Sequence, residues 1–347
     1  MVNRDRPAAR SAATSMTPAP PEGTIFVRAA DRCENPPHVA DYTVLQRSRL
    51  RSLYPMLLSR FADIEKVRRP DLHVLDVPAG TGVIALPLKA AGFEVTACDL
   101  FPSFLHDFVE AHHGRPVSES LSVYTRGWYS ESLKQRLFDG SDPVMPTDLE
   151  CVPTDMEARL PFDDATFDIV VSAEGIEHVS DRYRLIAQFR RVLKKGGTLI
   201  ITTPNMMCLR ARMAFALAGW RTLNCWLDEY TGVQGRSEDG SRIYHGHAFL
   251  LDYNEIRYCL HNTGFRLKGL LPMQLSRTSQ LLAPLMWPFV WAATRRSCRM
   301  GRRKFERARA RREVPQDAMN PAPEIYRHLM SPQLLYTSTM AVEAEAI

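Results

Sequence analysis

The chain has 347 residues, of which 45% are hydrophobic and 24% are charged, a composition typical of globular proteins and not of fibrous or disordered ones. Its formal net charge is +5, but residues 295–313 hold ten Arg or Lys and two Glu, a local charge of +8. The remainder therefore carries about −3, so the basic character belongs to one segment and not to the whole fold.

The first forty residues differ in composition from the rest. Residues 1–40 contain six prolines and little periodic apolar pattern, and we predict that they form a disordered tail before one domain spanning 41–347. No apolar core of a secretory signal occurs there. The seven cysteines are scattered without any Cys-x-x-Cys pair, which argues against a zinc ribbon or disulfide framework and favours a reducing compartment. We therefore expect a cytoplasmic protein.

From residue 50 onward, helix and strand patterns alternate. Apolar residues recur at the 3.6-residue helical period between Leu50 and Phe61, and Arg69-Pro70 ends that helix. The pattern then predicts strands at 73–77, 93–100, 149–155, 167–174, 198–203, 265–271 and 333–344, and helices at 82–92, 103–113, 181–195 and 252–264. Repeated β-α-β units indicate an α/β fold, a Rossmann-like doubly wound sheet of about seven strands with helices on both faces.

Two insertions interrupt this alternation. Residues 114–148 fit no clear pattern, and we predict one helix within them, near 130–138. Residues 278–315 form an apolar and basic segment before the last strand.

The second insertion has an unusual order of side chains. Residues 281–294 are uncharged and include Trp287 and Trp291, and the arginine-rich stretch follows at once. Fourteen residues broken by Pro284 and Pro288 are too short to span a bilayer. Residues 281–313 could bind an anionic membrane surface from the side, or form a helical cover over the fold. Arginine-rich helices also bind RNA phosphates, but no RNA-binding signature is present and we expect no nucleic acid partner.

The turn after the first strand of the sheet carries the clearest motif. Gly80-x-Gly82-x-x-Ala85 matches the dinucleotide fingerprint, with Asp99 about twenty residues further on. However, Asp76 lies inside the strand, where its charge would repel a pyrophosphate. The ammonium and sulfonium groups of S-adenosylmethionine would instead be attracted, so the turn favours that cofactor over NAD.

From about residue 70 to 204 the chain resembles the class I S-adenosylmethionine-dependent methyltransferases, including ubiquinone-pathway O-methyltransferases and the type 11 and type 23 families. Four segments resemble family motifs in order: "VLDVPAGTG" after the first strand, "ACDL" after the second, "PTDMEARLPFDDATFDIVVSAEGIEHVSD" from the third through the fourth, and "LKKGGTLIITTPN" at the fifth. Pro78 departs from the pattern because it replaces the first glycine and cannot donate a backbone hydrogen bond.

The resemblance implies S-adenosylmethionine as cofactor and a role for each motif residue. Asp76 would receive the methionine amine, Asp99 the two ribose hydroxyls, and Asp155 the adenine amino group. The full set of implied cofactor residues is Asp76, Pro78, Ala79, Gly80, Thr81, Gly82, Asp99, Leu100, Asp155, Met156 and Glu174.

A Glu-x-x-Glu-His unit, ending in Glu177 and His178, stands where amino-methyltransferases carry an (Asn/Asp/Ser)-Pro-Pro-aromatic signature. It resembles both the metal-dependent 2′-O-methyltransferases of small RNAs and the ubiquinone-pathway enzymes. Two interpretations remain open. His178 and Glu177 could be catalytic as acid and base, or a divalent metal could be bound by candidates Glu174, Glu177, His178 and His247.

Together these patterns predict an O-methyltransferase that acts on a small or lipid-linked acceptor, in the cytoplasm and peripherally on the inner face of a membrane. Two alternatives stay open. One is an RNA 2′-O-methyltransferase, and the other is a non-catalytic methyltransferase-like protein that only binds the cofactor or a partner. The intact acidic positions speak against the second alternative.

Overall fold

The computed structural model describes residues 24–25, 53–125, 131–223, 233–237 and 243–347. The strands are β1 (Thr24–Ile25), β2 (His73–Asp76), β3 (Glu94–Asp99), β4 (Cys151–Pro153), β5 (Phe167–Ala173), β6 (Leu193–Pro204), β7 (Val233–Ser237), β8 (Ile243–His245), β9 (Phe265–Leu270) and β10 (Thr339–Ala346). The helices are α1 (Leu53–Ala62), α2 (Ala85–Ala90), α3 (Ser103–Ala111), α4 (Val117–Thr125), α5 (Glu131–Phe138), α6 (Arg182–Val192), α7 (Leu209–Ala218), α8 (Tyr253–Asn262), α9 (Arg277–Ala310), α10 (Ala322–Leu329) and α11 (Pro332–Leu335).

Seven strands form the central sheet, in the order β4-β3-β2-β5-β6-β10-β9. Every neighbouring pair from β4 to β6 is parallel, whereas β10 runs antiparallel to both β6 and β9. The order reverses between β2 and β5, which is where ligands bind in doubly wound sheets. The predicted seven-stranded α/β fold is confirmed.

The sheet is covered by helices on both faces because β5 is apolar on both. Successive residues of a strand point to opposite sides, so Val171 packs in the core beneath α1, α2 and α3, while Val170 packs in the core beneath α6 and α8. Both side chains are fully buried. A continuous β-branched run is what a central parallel strand requires.

Several predicted boundaries differ from the structure. The insertion 114–148 contains two helices, α4 and α5, where one was predicted. The sequence of α4, "VSESLSVYT", is rich in Ser and β-branched residues that favour helix weakly, and burial of Val117 and Leu121, one turn apart, overrides that preference.

The boundaries of α6 and of the last strand also differ. Asp181 caps α6, because its Oδ1 accepts from Arg184 N at 2.9 Å. The helix ends at Val192 and β6 begins at Leu193. Leu193 pairs with Phe167, so the strand starts before Gly196 and Gly197. The last strand begins at Thr339 and not at 333, because Ser331 caps the short helix α11.

The predicted tail 1–40 lies outside the described residues except for β1. That strand pairs antiparallel with β7, which in turn pairs with β8, so these segments form a small second sheet.

The predicted apolar and basic insertion is a single helix, α9, of 34 residues. One face packs on the fold through Ser279, Val290 and Thr294, which are buried. In the part of the chain that the structure describes, no helix is long and apolar enough to cross a bilayer.

Arg69 joins the carboxyl ends of three helices. The side chain is only 2% exposed, and its guanidinium donates to Ile64 O at 3.1 Å, to Ala91 O at 3.3 Å and to Leu137 O at 2.7 Å. These carbonyls lie just beyond α1, just beyond α2 and within the last turn of α5, where helices leave carbonyl groups without partners and carry partial negative charge.

We predict that Arg69→Ala lowers the free energy of unfolding by roughly 3 kcal/mol, because several buried carbonyls lose their donor at once. Urea unfolding followed by circular dichroism measures the change. Arg68→Ala is the matched control, since Arg68 is exposed and its loss should change stability by about 0.5 kcal/mol or less. Equal urea midpoints for the two variants would contradict the role of Arg69.

Candidate functional site

The candidate site lies at the carboxyl edge of the parallel strands. Asp76 ends β2 and Asp99 ends β3, Glu174 follows β5, and Asn205 follows β6. Because parallel strands end at the same edge, residues far apart in sequence are brought together here.

Asp76 is a buried carboxylate with one oxygen committed. It is 1% exposed, and its Oδ2 accepts from Ala85 N, at the start of α2, at 3.1 Å. Its Oδ1 is buried and has no hydrogen-bond partner among the described residues. Burial raises the pKa of Asp76 to about 8, and the neighbouring charge of Asp99 adds to the effect. A cation placed at Oδ1 would satisfy the oxygen and favour the ionised form.

The two glycines of the turn serve different purposes. Both have positive φ, +54° at Gly80 and +77° at Gly82, so a side chain at either position would strain the backbone. A Cβ on Gly82 would also lie 2.3 Å from Leu105 Cδ1, so this glycine allows α3 to pack closely. At Gly80 nothing lies within 4 Å of the same position, which leaves open space beside the turn. Ala79 and Thr81, on either side of Gly80, are buried.

Pro78 imposes a further requirement that sequence reasoning missed. The Val77–Pro78 peptide is cis, and a Cβ on Gly175 would lie 2.2 Å from Pro78 Cδ. Contacts this short do not occur, so Gly175 must remain glycine while proline occupies the turn. In the sequence, this requirement was signalled by Gly175 itself, directly after Glu174.

Asp99 binds the turn from the neighbouring strand. It is 6% exposed, its Oδ2 accepts from Gly80 N at 2.8 Å, and its Oδ1 accepts from Phe101 N at 2.8 Å. Burial raises its pKa to about 6. Each oxygen keeps a second lone pair for a further donor. Leu100, the next residue, is half-buried.

Asp155 and Met156 lie one strand further out. Thr154 N donates to Asp99 O at 2.8 Å, which ties the end of β4 to the end of β3. Asp155 is half-buried and its Oδ1 accepts from Glu157 N at 2.8 Å, while Met156 packs partly against the core. The predicted cofactor residues Asp76, 78–82, 99–100 and 155–156 therefore lie along one edge of the sheet.

The Glu-x-x-Glu-His unit begins at the end of β5. Glu174 has φ +52° and its Oε1 accepts from Thr202 Oγ1 at 3.3 Å. Glu177 is fully buried, and its Oε2 accepts from Thr203 Oγ1 at 3.1 Å. Its Oε1 has no partner within the described chain. Burial and the charge of Glu174 raise the pKa of Glu177 well above its usual range, which favours the neutral acid.

His178 has a defined tautomer. Its Nδ1 lies 2.9 Å from His245 O, and because a carbonyl can only accept, Nδ1 carries the proton. The Nε2 lone pair is then available as a base or as a ligand. Burial lowers the pKa of His178, so the ring is neutral near pH 7. The His247 ring centroid lies 4.8 Å away and nearly perpendicular to it.

The donor set can be tested against a metal. Ligand atoms of Glu177, His178 and His247 lie within 4.8 Å of one another, whereas Glu174 is not part of this group. Mixed oxygen and imidazole ligands suit a divalent ion. However, Arg221 Nη2 lies 3.4 Å from His247 Nδ1, so its positive charge already occupies one side of the group.

A small open cleft lies beside this unit. Its lining includes Glu174, Asn205, Arg210, Arg221, His247 and Thr339. Neither arginine was predicted as a site residue. Both follow the last motif of the sheet, in a stretch of sequence that carries no recognisable pattern.

Comparison with known proteins gives an independent result. Residues 75–201 match the family described as "Methyltransferase domain". A ubiquinone biosynthesis O-methyltransferase of Rickettsia akari is 30% identical over 146 residues, 42% of this chain and 44% of that protein. One of Xanthomonas campestris pv. campestris is 30% identical over 169 residues, 49% of this chain and 56% of that protein. The chain thus spans about half the length of the curated relatives it matches.

Among solved structures, an S-adenosylmethionine-dependent methyltransferase of Mesorhizobium loti covers 79% of this chain and 90% of its own, at 12% identity and a TM-score of 0.36. The fold assignment rests on the strand order and directions of the sheet and not on this likeness.

Proposed function

We propose that this chain, whose residues 75–201 match the methyltransferase-domain family, is a class I S-adenosylmethionine-dependent methyltransferase that transfers a methyl group to an oxygen acceptor. One observation carries the proposal. A buried carboxylate oxygen of Asp76, without a partner among the described residues, lies at a turn whose Gly80 leaves open space.

The residues proposed to bind the cofactor lie along the carboxyl edge of the parallel strands. Asp76 Oδ1 would accept from the cofactor's ammonium group, which removes the cost of an unsatisfied buried oxygen. The free lone pairs of Asp99 would accept from both ribose hydroxyls, and Asp155 and Met156 would contact the adenine. Pro78, Ala79, Thr81, Gly82, Leu100 and Glu174 complete the proposed set. When bound, the cofactor supplies an electrophilic methyl group on its sulfonium.

We predict that Asp99→Ala weakens binding of S-adenosylhomocysteine by about 2 kcal/mol, because charge-assisted hydrogen bonds to two hydroxyls are lost. Isothermal titration calorimetry measures the affinity. Binding to the wild type should also weaken below pH 6, because Asp99, with a pKa of about 6, becomes protonated there.

Asp107→Ala is the control for this experiment, since Asp107 is an exposed acid on α3. The proposal fails if the wild type binds NAD in preference to S-adenosylhomocysteine, or if Asp99→Ala and Asp107→Ala bind alike.

The proposed proton acceptor is His178. Methyl transfer to a hydroxyl requires the hydroxyl proton to leave, and the neutral imidazole presents Nε2 for it while Nδ1–H is held by His245 O. Glu177 is fully buried, so we propose that it positions the site and does not touch the acceptor. Its backbone oxygen accepts from Phe249 N at 3.1 Å, which holds the segment that carries His245 and His247.

We predict that His178→Gln lowers the rate of methyl transfer by roughly 100-fold while leaving S-adenosylhomocysteine affinity unchanged, as removal of a general base does. The assay is transfer of labelled methyl from the cofactor to acceptors in metabolite, lipid and RNA extracts. His113→Gln is the control, because His113 is an exposed histidine that is not among the candidate site residues.

The same assay with a chelator decides between a base and a metal. Full activity in chelator supports His178 as the base. Loss of activity with cofactor binding retained would replace this step by a metal held at Glu177, His178 and His247. Labelling confined to RNA would replace the small or lipid-linked acceptor by RNA.

The acceptor is proposed to be lipid-linked because of the outer face of α9. Leu281, Leu285 and Phe289 are 81%, 68% and 73% exposed and recur every four residues, so they form one apolar stripe. Residues 295–313 follow directly with a local charge of +8. Trp287 and Trp291 stack at the junction, and the Arg295 guanidinium lies 5.2 Å from the Trp291 ring centroid.

This surface adjoins the cleft. Helix α7, which contributes Arg210 to the cleft, packs on α9, and Arg210 N is 3.4 Å from Ser279 Oγ. Towards its carboxyl end, α7 exposes Phe215 and Leu217. Exposed apolar side chains beside a basic segment complement the interior and the anionic headgroups of a membrane. We propose that residues 281–313 hold the protein on an anionic inner leaflet with the cleft near the lipid.

We predict that the protein co-sediments with phosphatidylglycerol-containing vesicles and much less with phosphatidylcholine alone, and that added salt weakens binding because exposed charges are screened. Replacing both Leu285 and Phe289 by Ser should lower vesicle binding at least tenfold, since each inserted side chain contributes roughly 1.5–3 kcal/mol. Met319→Ser, at a 90% exposed position, is the control. If the protein bound both vesicle types equally, or bound neither, the result would favour the alternative in which residues 281–313 form a helical cover over the fold.

A further inference from the structure

We infer that the cleft beside the Glu-x-x-Glu-His unit holds an anionic group of the methyl acceptor, a carboxylate or a phosphate, through Arg210 and Arg221. The inference rests on the proposed methyl transfer and names a chemical property of its acceptor.

Arg210 is placed to receive a ligand. Its backbone N is held by Ser279 Oγ, so the start of α7 is anchored to α9. Its Nε is buried and has no hydrogen-bond partner in the part of the chain that the structure describes, and no carboxylate there forms an ion pair with it. A buried charged donor left without an acceptor is costly, and an anion in the cleft would remove that cost.

Arg221 brings a second guanidinium to the same cleft. It lies on the segment after α7, and its Nη2 donates to His247 Nδ1 at 3.4 Å. Guanidinium groups match the planar geometry of carboxylates and the oxygens of phosphates, and they remain charged at every physiological pH.

The charges of the cleft favour an anion. Glu174 is the acid that lines it, and its Oε1 accepts from Thr202 Oγ1. Two guanidinium groups and one carboxylate thus stand among the described residues that line the cleft.

The arrangement also limits the shape of the acceptor. Arg221 contacts His247, and the His247 ring lies 4.8 Å from the His178 ring. The anion-binding group and the proposed proton acceptor are thus separated by a single imidazole. An acceptor that reaches both must carry its acid group and its reacting hydroxyl about one small ring apart.

The experiment uses the full chain saturated with S-adenosylhomocysteine and titrates four probes by calorimetry. They are 3,4-dihydroxybenzoate, 2-hydroxyphenyl phosphate, and the neutral 3,4-dihydroxybenzamide and catechol. We expect at least one anionic probe to bind ten times more tightly than its neutral counterpart. The tighter anion then distinguishes a carboxylate from a phosphate.

Matched variants test the residues. Arg210→Gln and Arg221→Gln should each reduce affinity for the anionic probe at least tenfold without changing that for the neutral one. Arg210→Lys keeps the positive charge but loses the paired N–H donors of the guanidinium. Its affinity for the anionic probe should lie between those of the glutamine variants and that of the wild type. Arg299→Gln, an exposed arginine of α9, is the control. Melting temperatures identify any variant that has lost its fold, in which case Arg210→Lys carries the test.

The outcomes are separable. The anion site is overturned if the anionic and neutral probes bind with equal affinity, if neither anionic probe binds, or if no arginine variant changes the affinity for the anionic probe. Failure of S-adenosylhomocysteine to bind the wild type would instead overturn the proposed function, because that measurement does not involve the cleft arginines.

Discussion

A single buried carboxylate, Asp76, organises the edge of the sheet. Placing a charge where water cannot reach is costly, so a carboxylate is retained there only if partners satisfy it. One oxygen is satisfied by the first backbone N–H of α2, which fixes where that helix starts. The other faces the turn without a protein partner among the described residues. The turn must therefore leave room for something positive, and Gly80 does so.

The neighbouring features adapt to that turn. Asp99 holds Gly80 N from the next strand, so β2 and β3 keep their relative position. Pro78 stiffens the entry to the turn and excludes any side chain at Gly175, just beyond the neighbouring strand β5. The requirement on Gly175 then constrains the start of the Glu-x-x-Glu-His unit. In this way the cofactor edge and the proposed acceptor cleft are coupled through one proline–glycine contact.

The proposed acceptor cleft depends on how burial shifts the pKa values of two adjacent side chains. Glu177 and His178 are adjacent in sequence, but burial pushes their pKa values in opposite directions, and both end up neutral. A neutral imidazole with a fixed tautomer is a competent base. Helix α9 joins this cleft to the protein surface, since it anchors α7 and exposes its apolar stripe beside the basic segment.

The sequence by itself determined the sheet and its cofactor edge. A parallel strand buried on both faces is a nearly continuous apolar run, which made β5 predictable. The turn and the acid at the ends of β2 and β3 made the positions of Asp76 and Asp99 predictable. Local signals were weaker at α4, where Ser and Val disfavour helix and burial of Val117 and Leu121 decides the outcome.

Only the tertiary structure decided which residues share the cleft. Arg210, Arg221 and His247 lie on three separate segments after the last motif, and no spacing in the sequence records that they meet. The requirement for glycine at 175 likewise arises from a proline almost a hundred residues away. Such contacts depend on how strands and helices pack against one another, and a one-dimensional pattern carries local periodicity but not the distances between distant segments.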